Sequence, residues 1–269
     1  MTPLPLSILA GLGWVLAALA MGALWLVQRR TRDATTVDVA WAALLGVMAV
    51  LYALLGDGLP ARRLLVALLV AGATWRLALH LWFDRARKGV EDGRYAALRA
   101  KWGTAAQRNF FWFFQAQALL DVLLSLPFLL ACASSTPLGG LDLVALLLWA
   151  VAICGEALAD AQLAAFKAEP AQRGRTCRRG LWSVSRHPNY FFQWLLWCSY
   201  ALLALSAPMG WIGLASPVLM LVLILCVTGI PPTEAQALRT RGEDYREYQR
   251  TTSAFVPWFR KHGAQGRTV

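Results

Sequence analysis

Long apolar stretches, most of them close to 20 residues, alternate along the chain with short polar connections. A helix of about 20 apolar residues crosses the hydrocarbon core of a bilayer, because each residue adds about 1.5 Å along the axis. These stretches are too long and too uniformly apolar for the alternating strands of a membrane barrel. The pattern predicts an all-α polytopic membrane protein, with residues 1–269 in a single integral membrane domain. Seven transmembrane helices are expected, followed by a tail at 231–269; they cover about 5–28, 37–55, 63–83, 110–133, 141–163, 189–206 and 209–230.

Composition and charge support a membrane protein and suggest its orientation. Of the 269 residues, 58% are hydrophobic and 15% are charged, which is rare for a soluble domain. The first, third and fifth connections and the C-terminal tail hold 23 of the 26 lysines and arginines. Because positively charged connections face the cytoplasm, the N-terminus is predicted outside and the C-terminus in the cytoplasm. This bias accounts for most of the net charge of +11, and no soluble basic region is present to bind nucleic acid.

Polar side chains recur at helical spacing inside the predicted spans. Charged groups in a bilayer are costly and usually mark a cavity or a pathway, although interhelical hydrogen bonds alone also hold helix bundles together. Side chains three or four positions apart share one face of a helix. Four such stripes and the single Asp38, on five helices, favour a polar cavity open to the cytoplasm. The stripes are Arg76–His80–Asp84–Arg87, Gln117–Asp121–Ser125, Glu156–Asp160–Lys167 and Asn189–Gln193, with Asp38 at the start of the second span.

The segment "SRHPNYFFQW", residues 185–194, predicts the start of a helix at the mouth of the membrane. Pro188 suits the first turn, where its missing N–H costs nothing. The free N–H groups and the positive end of the helix dipole form an anion site. Five arginines nearby indicate several phosphate groups, while anchoring to anionic lipid stays an alternative; they are Arg173, Arg175, Arg178, Arg179 and Arg186.

The tail, "GIPPTEAQALRTRGEDYREYQRTTSAFVPWF", predicts a short amphipathic helix that starts after Pro231 and Pro232 and ends near Gly242. We expect the tail to fold under the cavity and close it, and an interfacial helix is the alternative. Neither G-x-G-x-x-G nor a P-loop motif is present, so a nucleotide would bind in some other way. The five cysteines lack metal-ligand spacing, and no metal site is expected.

Two C-terminal motifs, "GLWSVSRHPNYFFQWLLW" and "RTRGEDYREYQRTTSAFVPWF", resemble the C-terminal half of membrane steroid 5α-reductases. "VDVAW" (37–41) and "RLALHLWFDRARKGVEDGRY" (76–95) resemble the bacterial branch of that family, classed as a domain of unknown function. Isoprenylcysteine carboxyl methyltransferases share looser forms of the C-terminal motifs. The resemblance implies a seven-helix enzyme that binds NADPH at the cytoplasmic face. Such an enzyme reduces a conjugated carbon–carbon double bond in a lipophilic, steroid-like or other lipid substrate.

The resemblance also implies roles for individual residues. Asp38 matches an intramembrane carboxylate that faces the substrate, and Arg76 and His80 are its expected catalytic helpers. A buried carboxylic acid can donate a hydrogen bond to the carbonyl oxygen that becomes negative during hydride addition. The steroid reductases pair this carboxylate with a tyrosine on the third span, where this chain has none. The implied cofactor-binding residues are Asp84, Arg87, Asp160, Lys167, Arg175, His187, Asn189, Tyr190, Gln193, Glu234 and Tyr245.

Three functions remain open at this point. The first is the NADPH-dependent reductase, and the second is a membrane methyltransferase that uses S-adenosylmethionine. Thr233–Glu234 stands where the methyltransferases usually have two glutamates, and the arginine-rich connection suits a phosphorylated cofactor better. The third, a non-enzymatic lipid-binding protein, leaves the polar stripes unexplained. The alanine, leucine and arginine bias suggests a bacterial inner membrane, and the oligomeric state stays undetermined.

Overall fold

The computed structural model describes residues 4–259, and every structural statement below refers to that range. All regular secondary structure in this part of the chain is helical and no strand occurs in it, which confirms the all-α prediction. The helices are α1 (Leu6–Thr31), α2 (Thr36–Leu55), α3 (Pro60–Asp84), α4 (Gly93–Trp102), α5 (Ala106–Leu124), α6 (Leu126–Cys132), α7 (Gly140–Ala168), α8 (Pro188–Ala204), α9 (Ala215–Val222), α10 (Ile230–Arg241) and α11 (Glu243–Thr251).

Six helical segments within residues 4–259 are long and apolar enough to cross a membrane. The multi-pass prediction is therefore supported for six spans. The expected span at 189–206 corresponds to α8, which has 17 residues and is shorter than the roughly 20 that a bilayer requires. Many large apolar side chains on the long helices are exposed, including Leu54 at 72%, as expected of surfaces that face lipid. The six segments are Leu6–Thr31, Thr36–Leu55, Pro60–Lys88, Gly93–Cys132, Gly140–Ala168 and Gly210–Arg241.

Two of the expected spans are interrupted rather than continuous. The stretch predicted at 110–133 breaks at Ser125, between α5 and α6. Pro127 has no N–H to donate, so the carbonyl of Leu123 instead accepts a hydrogen bond from Ser216 Oγ at 3.3 Å. The stretch predicted at 209–230 contains a π-helical turn, Leu223–Val227, which a period of 3.6 residues does not anticipate.

The first of two compact units comprises residues 4–143 and 200–216. In this unit α2 and α3 pack closely where Gly46 faces α3. A side chain at Gly46 would put its Cβ 2.4 Å from Trp75 Nε1, so only glycine fits there. Trp75 Nε1 donates to the carbonyl of Ala43 at 3.2 Å, which joins the two helices at the same level.

A buried ion pair, Arg62 with Asp142, connects distant parts of the first unit. Arg62 is completely buried, and its two terminal nitrogens donate to the Asp142 carboxylate at 2.5 Å and 2.9 Å. The guanidinium also donates to the carbonyls of Thr136, Pro137 and Leu203. Because every side of the cation is satisfied, the pair joins the start of α3 to the start of α7 without leaving a bare charge.

The second unit comprises residues 144–199 and 217–259. Here α7 and α8 approach closely at Gly155, whose Cβ would lie 2.3 Å from the ring of Phe192. The tail runs beside the segment that precedes α8, where Ser185 Oγ donates to the carbonyl of Phe255 at 2.7 Å. The α8 helix starts at Pro188, and α10 runs from Ile230 to Arg241, just before Gly242. Both predicted boundaries are confirmed, and the expectation of one domain over residues 1–269 stays a prediction.

Replacing Arg62 with alanine should destabilise the protein by about 3–5 kcal/mol, because Asp142 would remain buried without its cation. Thermal unfolding in detergent measures this loss. The double variant Arg62→Met, Asp142→Leu should recover most of it, and Arg30→Ala, at an exposed position, should change stability by less than about 0.5 kcal/mol. Equal effects of Arg62→Ala and Arg30→Ala would contradict a structural role for the pair.

Candidate functional site

The first unit contains a polar group that we call the Asp38 cluster: Asp38, Arg85, Asp92, Arg94 and Tyr95. Asp38 lies in the first turn of α2, and Arg94 and Tyr95 lie in the first turn of α4. The chain turns into α4 at this point because Asp92 caps the helix, its carboxylate accepting the Arg94 backbone N–H at 2.9 Å. The cap places two consecutive side chains of α4 against Asp38.

Asp38 accepts one hydrogen bond on each carboxylate oxygen. Arg94 Nη2 donates to Oδ2 at 2.6 Å, and the Tyr95 hydroxyl donates to Oδ1 at 2.5 Å. Arg85 Nη1 lies 3.6 Å from the same Oδ2. Asp38 is therefore the acceptor in this arrangement, and the neutral donor beside it is the hydroxyl of Tyr95, a residue that is 4% exposed.

Asp92 balances the charge of the Asp38 cluster. Burial raises the pKa of Asp92, but hydrogen bonds from Arg94 and the charge of that guanidinium more than offset this and lower the pKa below its usual 3.8. Arg94 Nε donates to Asp92 Oδ1 at 3.0 Å, and Arg85 Nη1 is 3.7 Å from Asp92 Oδ2. Two carboxylates thus face two guanidinium groups.

The other expected site residues near the third span lie on the last turns of α3 and in the turn that follows it. Arg76 and His80 are half-buried and occupy successive turns of α3, as their spacing predicts. Asp84 is the last residue of that helix and lies 3.5 Å from Lys88 Nζ. Arg87 was expected on the same helix face, but α3 ends before it; Arg87 is exposed in the following 3₁₀ turn.

The second unit contains the Glu234 cluster, which consists of Arg186, His187, Glu234, Tyr245 and Gln249. Arg186 Nε donates to Glu234 Oε1 at 2.7 Å, and Gln249 Nε2 donates to Oε2 at 2.7 Å. The Tyr245 hydroxyl donates to Oε1 at 3.3 Å, and His187 Nε2 lies 3.1 Å from it. Glu234 on α10 therefore connects the segment before α8 to α11.

His187 contributes to this cluster as a neutral donor. Burial lowers the pKa of His187 below its usual 6.5, more than the neighbouring Glu234 carboxylate raises it. Because Glu234 can only accept, the proton of the neutral ring belongs on Nε2. The ring stacks on that of Tyr190, with centroids 5.3 Å apart, and the Tyr190 hydroxyl is 3.2 Å from Thr233 Oγ1.

Two amide–carboxylate pairs join α7 to α8 in the same unit. Asn189 Nδ2 donates to Asp160 Oδ1 at 3.4 Å. One turn further on, the Gln193 amide nitrogen faces Glu156 and donates to its two oxygens at 2.9 Å and 3.0 Å. Both carboxylates are buried, so the predicted stripes on α7 and α8 face each other.

The arginines expected around the start of α8 divide into two sets. Arg178 pairs with Asp244 at 3.0 Å and Arg179 with Glu169 at 2.6 Å, and Arg186 belongs to the Glu234 cluster. Arg173 and Arg175 are exposed and have no ion-pair partner among residues 4–259. Lys167, in the last turn of α7, is also exposed. The first set joins protein segments, and the exposed cations are accessible to an anionic ligand.

Residues 24–252 match a family described as a protein of unknown function, DUF1295. The chain belongs to the DUF1295 family. No curated protein and no solved structure matches it. The family of unknown function indicated by the sequence motifs is therefore confirmed, and its description names no activity. The resemblance to steroid 5α-reductases stays a prediction.

Sequence reasoning missed Tyr95 as a partner of Asp38 in this DUF1295 protein. Tyr95 is 57 positions further along the chain, in a connection that attracts notice for its charge. No periodicity relates α4 to α2. The only local signal is Asp92, a good N-cap residue, which marks where α4 begins. That start places Tyr95 in the first turn of the helix.

The DUF1295 protein should lose thermal stability as the pH falls below about 6.5, since unfolded His187 takes up a proton there and the folded, buried ring resists it. The stability that neutral His187 contributes is fully present above that pH. It is lost progressively as the pH falls towards the lower pKa of His187 in the folded protein. Unfolding temperatures in detergent between pH 8 and pH 5 measure it. His187→Gln should flatten the dependence, and an unchanged slope would exclude His187 as its source.

Proposed function

We propose that this protein is a seven-helix membrane reductase, with α8 as an additional span, the N-terminus outside and the C-terminus in the cytoplasm. It would use NADPH to reduce a conjugated carbon–carbon double bond in a lipophilic substrate. The observation that carries this proposal is the Tyr95 hydroxyl, a buried donor hydrogen-bonded to Asp38 beside the Arg94 guanidinium. The resemblance to the steroid 5α-reductases supplies the reaction class.

Reduction of an enone requires an acid near the carbonyl group. A bound NADPH would supply hydride chemistry at the β-carbon of the substrate, so the protein would need a donor for the negative charge on the carbonyl oxygen. The Tyr95 hydroxyl has one proton, which it donates to Asp38 in the structure. To act as the acid, the hydroxyl would turn this proton from Asp38 to the substrate oxygen. Arg94 lies one residue away and would stabilise the negative charge left on the phenol oxygen. This chain thus has a tyrosine–carboxylate pair although its third span lacks a tyrosine.

The cations of the second unit suit a ligand with several phosphate groups. Arg173 and Arg175 are exposed, free of carboxylate partners within residues 4–259, and close together in sequence. Guanidinium groups bind phosphate oxygens in a planar, bidentate manner. Asn189 and Gln193 offer amide groups on α8 that would hold the carboxamide end of the cofactor, with Asp160 and Glu156 orienting them. Glu234 and His187 would position the start of α8 rather than contact phosphate, because their polar atoms are engaged with each other.

Purified protein in detergent should bind NADPH, and Arg175→Ala or Asn189→Ala should weaken binding at least about tenfold, a loss of roughly 1.4 kcal/mol. Tryptophan fluorescence quenching or thermal stabilisation measures the affinity. Arg239→Ala removes an exposed cation from α10 and serves as the matched control, with less than a twofold effect expected. Stabilisation by S-adenosylmethionine and none by NADPH would overturn the reductase proposal in favour of a methyltransferase.

Tyr95→Phe and Asp38→Asn should each retain NADPH binding but lower turnover about a hundredfold or more, since each disrupts the donor pair. Oxidation of NADPH in the presence of a panel of lipophilic enones measures turnover. Asp57→Asn, an exposed carboxylate in the connection between α2 and α3, is the control and should leave turnover unchanged. Wild-type turnover in both Tyr95→Phe and Asp38→Asn would remove this pair from the mechanism.

A further inference from the structure

A buried carboxylate in the first unit is unexplained by the proposed chemistry. Asp121 on α5 is 0% exposed, and neither of its carboxylate oxygens has a hydrogen-bond partner among residues 4–259. It lies about 15 residues into a membrane-spanning segment, roughly 22 Å along the helix axis from Ala106. A bare carboxylate at such a position is strongly unfavourable, so the native protein needs a group that satisfies it.

Two hydroxyl groups lie near Asp121. Ser125 is one helical turn further along the chain, and its Oγ is 3.1 Å from the Tyr52 hydroxyl of α2. Tyr52 is completely buried, and across from it the Cβ of any residue at position 13 would be 2.5 Å from the phenol oxygen. Gly13 thereby allows the Tyr52 hydroxyl to lie close against α1.

The backbone beside these side chains is also irregular. The break at Ser125, between α5 and α6, follows Asp121 by one turn. Ser125 Oγ can donate to the Val122 carbonyl at 2.9 Å, and Pro127 prevents the normal helical bond to the Leu123 carbonyl. Interrupted helices that place oxygen atoms next to a carboxylate inside the membrane are the usual construction of small-cation sites in transporters.

Protonation alone would not satisfy Asp121. A neutral carboxyl group would still carry an O–H donor and a carbonyl acceptor, and neither oxygen has a partner. A bound monovalent cation would contact both oxygens and cancel the single negative charge. A divalent ion would need further acidic ligands, and no group of three His, Cys, Asp or Glu side chains suited to a metal occurs in residues 4–259. Oxygen ligands of this kind suit a hard cation.

We infer that Asp121, with the hydroxyl groups of Ser125 and Tyr52, forms a sodium-binding site inside the first unit. The site shares no residue with the Asp38 cluster or the Glu234 cluster, and it does not depend on the reductase proposal. The ion stabilises the junction of α2 with the broken α5–α6 segment. Sodium therefore raises the stability of the folded protein by mass action.

The test compares unfolding temperatures of the full chain in detergent at pH 8, in sodium chloride and in choline chloride at equal ionic strength. We expect sodium at about 200 mM to raise the unfolding temperature on the order of 4 °C, with saturation. Asp121→Asn should remove the sodium response. Ser125→Ala should fold and raise the half-saturating sodium concentration about tenfold, and wild-type protein should retain radioactive sodium on filters.

Asp142→Asn is the matched control, because it neutralises another buried carboxylate of the same unit whose partner is Arg62. It should lower the unfolding temperature in both salts and keep the sodium response. Indifference of the wild-type protein to sodium would overturn the inference, as would a response to pH alone. A full sodium response in Asp121→Asn would also overturn the inference. If that variant fails to fold, an unchanged half-saturating sodium concentration in both Ser125→Ala and Tyr52→Phe would overturn it.

Discussion

The structure depends on one constraint: a charge inside a largely apolar protein must find its partner within the protein. The Arg62–Asp142 pair meets this requirement completely, since the guanidinium contacts a carboxylate and three carbonyl groups. Arg186 meets it through Glu234 and through the carbonyls of Gln249 and Thr252. Each such pair is also a structural joint, because removing one partner would leave the other bare in a medium that cannot solvate it.

The same constraint explains where the polar connections go. The segment between α3 and α5 is held to the connection before α2, because Glu91 accepts hydrogen bonds from Arg99 and from the backbone of Ala34. The tail follows the same principle in the second unit, where Tyr248 donates to the carbonyls of Trp182 and Ser185. Burial raises the pKa of Tyr248 and keeps its hydroxyl protonated as a donor. Polar side chains thus hold the ends of apolar helices in fixed positions.

The candidate functional sites are the places where these paired polar side chains include a group that could donate a proton or bind a ligand. The Asp38 cluster is a structural joint of α2 and α4, and it also contains the Tyr95 hydroxyl, a buried donor beside the Arg94 guanidinium. Asp121 is different, because no side chain of residues 4–259 completes its coordination. The first arrangement suits proton donation to a substrate, and the second suits a bound cation. The two proposals rest on different residues and therefore stand or fall separately.

The length of the apolar stretches determined the helical class and most of the spans, and Pro188 and Gly242 marked the start of α8 and the end of α10. Periodicity also placed the polar stripes on the correct faces of α7 and α8, because a period of 3.6 residues orients side chains around an axis. Only the tertiary structure decided which polar groups meet. Asp38 and Tyr95 are 57 positions apart, and Arg186 and Glu234 are 48 apart. The breaks at Ser125 and Leu223–Val227, and the division of the arginines into paired and exposed sets, were decided there too. Periodicity shows which face of a helix a side chain occupies. Which residues pair across long sequence separations depends on helix packing and on the need to neutralise buried charges.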